Sequence, residues 1–598
     1  MSQSNTPLYP TRLVDVGSNG DELIRLLDTY NFGNQGPYFC LSHCWGDSQP
    51  YVLTKETAPT LRDDLKITEL PKTFREAILV TRAFQVRYIW YVTPRCKLCS
   101  TCRTYLSWTS VANLSLLILG LTHCKDFERR SKMISLKYFR CIFQDNISDW
   151  STEAQRMRDV YSQAACTIAA TASHNHSEGL FFDRDPETLR PRSDLLDGIY
   201  LCNDRYSWRE SIDKAPLNAR AWVAQERYLS PRIMHFCATQ LFWECRELKA
   251  CENYPDGLPS WVLPPPVDDP NSLKDNMHYF RQRQFEVHSA SGTDFDSNSS
   301  ALNDVYRSWR QFRDFYSESV CTKESDKLVA FMGVAQDVGQ ALKDELVAGL
   351  WKSRFIGELC WRKDGNNDLR ELTEWRAPTW SWVSINNQVQ SNYVVTGHGL
   401  CDKEMWSELE RLDVETKPSG ELVHASVKLR CKPIKIALSN FTIGKFGPGF
   451  HGVILKLNPI KIGPEADNDL SLVFEREDAK NPNFDTGLWL DKLVKEELWT
   501  ILSIIVLQRC PHEDSVHIVS HGEDVHEDDN GVDDYKTIYT SYVESSIIEG
   551  LLLAPKLGSE TVFEILGYFS TMGDIGSSAV AKVITAYEAT ETKVITLV

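Results

Sequence analysis

Between Tyr38 and Ser173, short apolar runs alternate with amphipathic stretches, and this alternation leaves the chain few folds to choose from. YFCLSHCW (Tyr38 to Trp45) is a compact apolar and aromatic run that ends at the turn residues Gly46 and Asp47. LPKTFREAILVTRAF follows, with Phe74, Ala77, Ile78 and Thr81 on one face at helical spacing and Pro71 near its start. VRYIW (Val86 to Trp90) reads as a short buried strand. DWSTEAQRMRDVYSQA then places Met157, Val160, Tyr161 and Ala164 on one helical stripe, with Ser151 and Thr152 as capping residues. ACTIAATAS (Ala165 to Ser173) closes the series as another strand. Strands separated by amphipathic helices predict an α/β unit, a parallel sheet flanked by helices.

The rest of the chain changes character in steps. Residues 1–37 are a lead-in, and residues 231–300 an extension and a Pro-, Asp- and Ser-rich linker. Residues 301–365 carry helical periodicity in VYRSWRQFRDFY and SDKLVAFMGVAQDVGQALKDELVAGLW. Residues 366–598 read as a β-rich region, with ELVHASVKLRCKPIKIAL, SIIEGLLLAPKL and KVITLV as antiparallel strands. Within it, WRAPTWSWVSI (Trp375 to Ile385) reads as an aromatic core or seam at a strand entrance. The loop 510–534 is acidic; its His512, His517, His521 and His526 fit no tight ligand spacing, so a solvated loop is expected there and no metal.

Charge and cysteine use narrow the function classes. A net charge of -17 over 598 residues excludes an overall basic face for nucleic acid and disfavours docking on anionic lipid. The opening MSQSNTPLYPTRLVDV lacks the layout of a secretory signal. The longest apolar run, LSLLILGL (Leu114 to Leu121), falls far short of the roughly 20 residues that span a bilayer. A cytoplasmic protein with reduced thiols is therefore expected, with no membrane or nucleic-acid partner.

Four stretches in order carry a family likeness. YFCLSHCWGD contains Leu41 at the centre of its strand, and LPKTFREAILVTRAFQVRYIW opens on Leu70 and Pro71. CIFQDNISDWSTEAQRMRDVYSQAACTIAATAS holds Cys141, Gln144, Met157 and Tyr161. LNARAWVAQERYLSPRIMHF holds Arg220, Trp222, Gln225 and Glu226. Together they resemble the fungal heterokaryon incompatibility (HET) domain family. Segments such as QLFWECRELKACE, SDKLVAFMGVA and WRAPTWSWVSI resemble those that commonly follow it. His43 and Cys44 stand where the family has Tyr and Val, and Ala221 where it has Gly.

That resemblance implies a protein of non-self recognition that triggers programmed cell death through protein partners. It also implies a TIR-like or flavodoxin-like sheet. Some TIR domains cleave NAD with a helix glutamate, which makes NAD a candidate substrate and a degenerate, inactive member a further alternative. No cofactor is otherwise implied.

In open parallel sheets ligands bind beyond the carboxyl ends of the strands. The rule gathers Ser42, His43, Trp45, Gly46 and Asp47 after the first strand, Gln144, Asp145, Asp149, Trp150 and Glu153 around the next connection, and Ser173 and His174 after the last. By the same likeness Glu153 is the candidate catalytic carboxylate, able to stabilise positive charge on a ribose carbon. Structural roles stand beside each: Glu153 can complement a helix dipole, the tryptophans can be core, and Arg220 can pair with Glu226. Ser42 and His43 are no nucleophile–base pair, because adjacent strand residues point to opposite faces.

One stretch departs from the family. About fifty residues separate Trp90 from Cys141, and this insert at about 91–139 contains Cys96, Cys99 and Cys102. The triplet could bind zinc or an iron–sulfur cluster with His123 or Cys124, but no second Cys-x-x-Cys pair accompanies it. A genuine surface insertion is a second reading. A third is a translated intron: Trp90-Tyr91-Val92 admits a splice-donor string, Phe139-Arg140 an acceptor and Leu121-Thr122 a branch point.

Overall fold

The computed structural model describes residues 9–30, 36–44, 53–91, 141–143, 145–184, 194–196, 199–201, 207–260, 262–263, 272–291, 300–321, 323–363, 374–391, 404–417, 420–442, 454–458, 486–490, 502–518, 539–556, 558–574 and 579–598. The chain divides into two compact units. One comprises residues up to Asp344 together with Thr416–Glu421, and the other comprises Glu345–Glu415 and Leu422–Val598.

The first unit is built on one sheet. Its strands are β1 (Arg12–Asp15), β2 (Leu23–Asp28), β3 (Tyr38–Ser42), β4 (Leu65–Lys66), β5 (Tyr88–Tyr91) and β6 (Cys166–Ala169). After a separate hairpin, β7 (Asp194–Leu196) and β8 (Ile199–Leu201), come β9 (Arg232–Phe236), β10 (Leu241–Cys245) and β11 (Lys249–Cys251). The order across the sheet is β11-β10-β9-β6-β3-β5-β1-β2-β4. The four central strands β9, β6, β3 and β5 run parallel, with Cys40 opposite both Trp90 and Thr167. The edges run antiparallel: β1 and β2 on one side, β10 and β11 on the other. The sheet is thus mixed, and the expectation of a parallel sheet holds only for its centre. Hairpin strands can extend an edge without a crossover helix, so Arg12–Asp28 and Arg232–Cys251 both join it.

Helices cover both faces, as a sheet buried on both sides requires. α1 (Ala58–Arg62) is short, and α2 (Lys72–Ala83) buries Phe74, Ala77, Ile78 and Thr81, the face its spacing predicts. Phe74 packs against Tyr91 at 4.9 Å and against the His43 ring at 4.7 Å. On the opposite face α3 (Ile147–Gln163) buries Met157, Val160, Tyr161 and Ala164, each large side chain contributing about 1.5–3 kcal/mol. Tyr161 meets Trp90 edge-on at 5.5 Å.

α3 begins earlier than its sequence predicts. Asn146 is the N-cap, its side chain accepting from the amides of Ser148 and Asp149. Ser151 and Thr152 therefore lie inside the helix, and Thr152 bonds back to the Ser148 carbonyl. A cap with two amides to satisfy outcompetes hydroxyl residues further along.

α4 (Ala221–Leu229) packs on the same face as α3. Beyond it come α5 (Ser272–Ser291), α6 (Ser300–Ser317), α7 (Asp326–Val329) and α8 (Met332–Leu342). Among the described residues no helix is long and apolar enough to cross a membrane.

The second unit is dominated by a ten-stranded sheet. Its central strands Leu502–Ile518, Tyr539–Pro555 and Val562–Asp574 are long and antiparallel, so Cys510–Ile518, read from sequence as the start of an acidic loop, is strand paired with Tyr539–Ile547. The helix Ala579–Glu588 covers one face, placing Val580, Val583 and Ala586 against Ile504, Ile548, Leu552 and Phe569. In WRAPTWSWVSI, Trp380 and Trp382 are fully buried whereas Trp375 is exposed. The segment is core, as read from sequence, but Trp382–Ser384 is a 3-10 turn and not a strand entrance. Arg376 ties the turn together through the carbonyls of Val383 and Ile385.

Candidate functional site

α3 and α4 each precede a parallel strand, so their first turns lie at the carboxyl ends of β3, β5 and β6. Three contacts fix this placement. The Cys141 amide donates to the Tyr91 carbonyl (3.3 Å), Arg12 Nη2 pairs with Asp149 (2.6 Å), and Arg220 donates to the His43 carbonyl. Arg12 also donates to the Cys141 carbonyl at 2.7 Å, pinning the chain where it re-enters the fold. Trp90 and Cys141 are thus brought together at the end of β5 despite the insert between them.

At the end of β3 a buried polar cluster forms. Ser42 Oγ donates to Glu226 Oε2 at 2.5 Å, and Arg220 and Tyr161 act electrostatically on the same carboxyl group. Burial raises the Glu226 pKa, with Ser42, Arg220 and Tyr161 opposing it. Arg220's direct hydrogen bond is to the His43 carbonyl, while its charge acts on Glu226. His43 points to α2 and Ser42 to α4, the opposite faces expected of neighbours in a strand.

Glu153 lies in the second turn of α3, past the first turn that holds Trp150 and Asp149. Its side chain is fully buried. Oε1 accepts from Thr11 Oγ1 (2.7 Å) and lies 3.8 Å from Arg156, and Oε2 has no hydrogen-bond partner among the described residues. Burial raises its pKa as well. The buried thiol of Cys141 is pushed up to about 12, also by burial.

The other sequence candidates separate. Trp150 is half-buried and meets Trp222 edge-on at 6.2 Å, the indoles of the first turns of α3 and α4 facing each other. Gln225 donates to Met157 Sδ (3.6 Å), joining the same two helices. Asp145 is exposed and accepts from the Lys55 amide. Leu41, Leu70 and Pro71 are buried, Leu70 and Pro71 at the entry to α2. Ser173 is used in a turn, donating to the Gly179 carbonyl, and His174 is exposed. Trp45, Gly46, Asp47 and Gln144 lie outside the described residues, as do the cysteine triplet, His521 and His526. Among the described residues no group of three or more His, Cys, Asp or Glu could hold a metal.

One buried network has no signature in the sequence. Arg227 Nε donates to Glu244 (2.8 Å) and Nη1 to Asp213 (2.9 Å), while Lys274 Nζ reaches Glu244 Oε1 at 3.4 Å. His235 Nε2 lies 3.2 Å from Glu244, and its Nδ1 is 3.1 Å from the Thr171 hydroxyl. Burial works to raise the Glu244 pKa, but Arg227 and Lys274 overcome it and hold the carboxyl well below its usual range. Burial lowers His235, so a neutral imidazole can donate to Glu244 and accept from Thr171. The partners come from five separate elements and, with Thr171, the turn after β6, and only the histidine in MHF hints at them.

The class is therefore an α/β unit whose helix-starting turns and buried polar cluster meet at the strand ends. The family model described as heterokaryon incompatibility protein (HET) matches residues 38–92 and 139–226, and the chain contains a HET domain in these two stretches. The match breaks at the insert and resumes where Cys141 rejoins Tyr91. No curated protein and no solved structure matches the chain.

Proposed function

We propose that this is a heterokaryon incompatibility-type protein in which the HET domain acts in non-self recognition and triggers programmed cell death through protein partners. The observation that carries the reading is the convergence of the matched stretches. Ser42 from the first bonds to Glu226 from the second, and Arg220, also from the second, holds the His43 carbonyl next to it. A folded domain with its family residues assembled is the minimum an acting member needs, and it weighs against a degenerate one.

Inducible expression in a fungal host tests this. Loss of viability with the full chain, weakened by Arg220→Ala at equal protein level, is expected. Full viability at confirmed expression overturns it.

Cleavage of NAD is the second reading, favoured by the uncommitted Oε2 of Glu153 near the end of β5. Charge stabilisation at a ribose carbon needs an ionised carboxylate beside it. Burial of Glu153 acts against that state, which ranks this reading below the first. Nicotinamide release that disappears in Glu153→Gln would reverse the ranking.

A further inference from the structure

The family match ends at Glu226, yet the strand-end site does not. The chain returns to it about ninety residues later. The Val320 amide donates to the Ala219 carbonyl (2.8 Å) and the Ala221 amide to the Val320 carbonyl (3.2 Å), which aligns this backbone with the start of α4. Just beyond, Lys323 Nζ lies 5.6 Å above the Trp150 ring, and Trp222 Nε1 donates to Asp326 Oδ2 at 3.4 Å. The Gly333 amide then donates to Gln225 Oε1 (3.3 Å). Trp150, Trp222 and Gln225, three residues of the first two turns of α3 and α4, are each held by this later segment.

We propose that Lys323–Val329 is a proton-responsive clasp on the strand-end site, with Asp326 as its latch on Trp222. The cation–π contact at Trp150 is solvent-exposed on the lysine side and therefore weak. The latch is different: Asp326 is 5% exposed, so its protonation state decides what holding it in place costs.

Burial pushes the Asp326 pKa up to about 6, against the opposing Lys323 ammonium and Trp222 indole; the Glu421 carboxylate adds to the rise. Those two charges act on it, and α4 presents only the neutral indole. A carboxyl whose folded pKa is raised favours the folded arrangement fully below its unfolded value of 3.8, and that contribution is lost as pH rises through about 6. The clasp is therefore tight in acid and loosened at neutral pH, where the two indoles become available to a partner. That last step rests on the strand ends being the working surface of the HET domain; the clasp itself does not.

The test uses the full chain labelled with 5-fluorotryptophan. Trp150 and Trp222 resonances are assigned by Trp→Phe substitution, and backbone deuterium uptake of 323–329 is corrected for intrinsic exchange. Both signals are expected to follow a one-proton transition centred near pH 6. Asp326→Asn, which keeps an acceptor but cannot ionise, should abolish the transition and leave the segment protected throughout. Asp326→Ala should leave it unprotected throughout. A wild-type titration flat through pH 6, or a transition that survives Asp326→Asn, overturns the proposal. Should the transition behave as expected while Asp326→Asn leaves viability in the fungal host unchanged, the clasp stands and the strand ends are not the working surface.

Discussion

Ser42 and Glu226, 184 positions apart, share a 2.5 Å hydrogen bond at the carboxyl end of β3. The bond joins the first stretch of the HET domain to the last, and the elements around it exist to bring the two together. Cys141 closes on Tyr91, Asn146 starts α3, and Arg220 holds the entry to α4 against the His43 carbonyl.

Glu226→Gln should change how stability depends on pH. The folded pKa of Glu226 is raised by burial, so its contribution is complete below the unfolded value of 4.5 and is lost as pH rises through the raised value. Relative to the glutamine variant, wild type should lose stability progressively above pH 4.5. Urea denaturation of both proteins at a series of pH values reads this directly; parallel profiles would contradict it.

Glu244→Gln should be far more costly and of opposite pH sign. The substitution leaves Lys274 buried without its carboxylate and Arg227 with Asp213 alone, a loss of about 3–5 kcal/mol at neutral pH. Because the Glu244 pKa is held well below 4.5, its contribution is present above that value and lost on acidification. The gap between variant and wild type should therefore narrow as pH falls.

In the second unit Gly550 has no room for a side chain. An added Cβ would stand 2.1 Å from the Ile505 carbonyl and 2.4 Å from the Phe569 ring, so the paired strands would have to part. Gly550→Ala should cost about 1–3 kcal/mol by thermal denaturation. Gly357→Ala, whose nearest neighbour is a side-chain oxygen at 3.5 Å, is the matched control and should be close to neutral.

The sequence revealed what is local. The stripes of α2 and α3 were legible because a 3.6-residue period marks the buried face, and the central strands because Tyr38–Ser42 and Cys166–Ala169 are compact runs, apolar but for Ser42 and Thr167. The edge strands were harder to see. Arg12–Asp15 and Leu23–Asp28 are short and carry charges such as Asp15, which pairs with Arg25 and Arg87. The site was half visible. Motif residues could be named, but not that Ser42 chooses Glu226, nor that Asp326 from beyond the matched domain reaches Trp222. Such pairings depend on tertiary closure, which periodicity does not encode.

The insert invites a check at the transcript. The family match omits residues 93–138, and the amino acids at their flanks admit splice-compatible codons. Mature transcripts are expected to lack most of the codons for 91–139; reads running through the segment without a gap would show that it is genuine protein.

Most direct is removal of residues 93–138 from the expressed chain. With the Cys141 amide already bonded to the Tyr91 carbonyl, Val92, Phe139 and Arg140 remain as the connector. The shortened protein should fold, unfold cooperatively on heating, and melt within a few degrees of the full chain. A shortened protein that aggregates or shows no cooperative transition would contradict the joining of the two stretches into one domain.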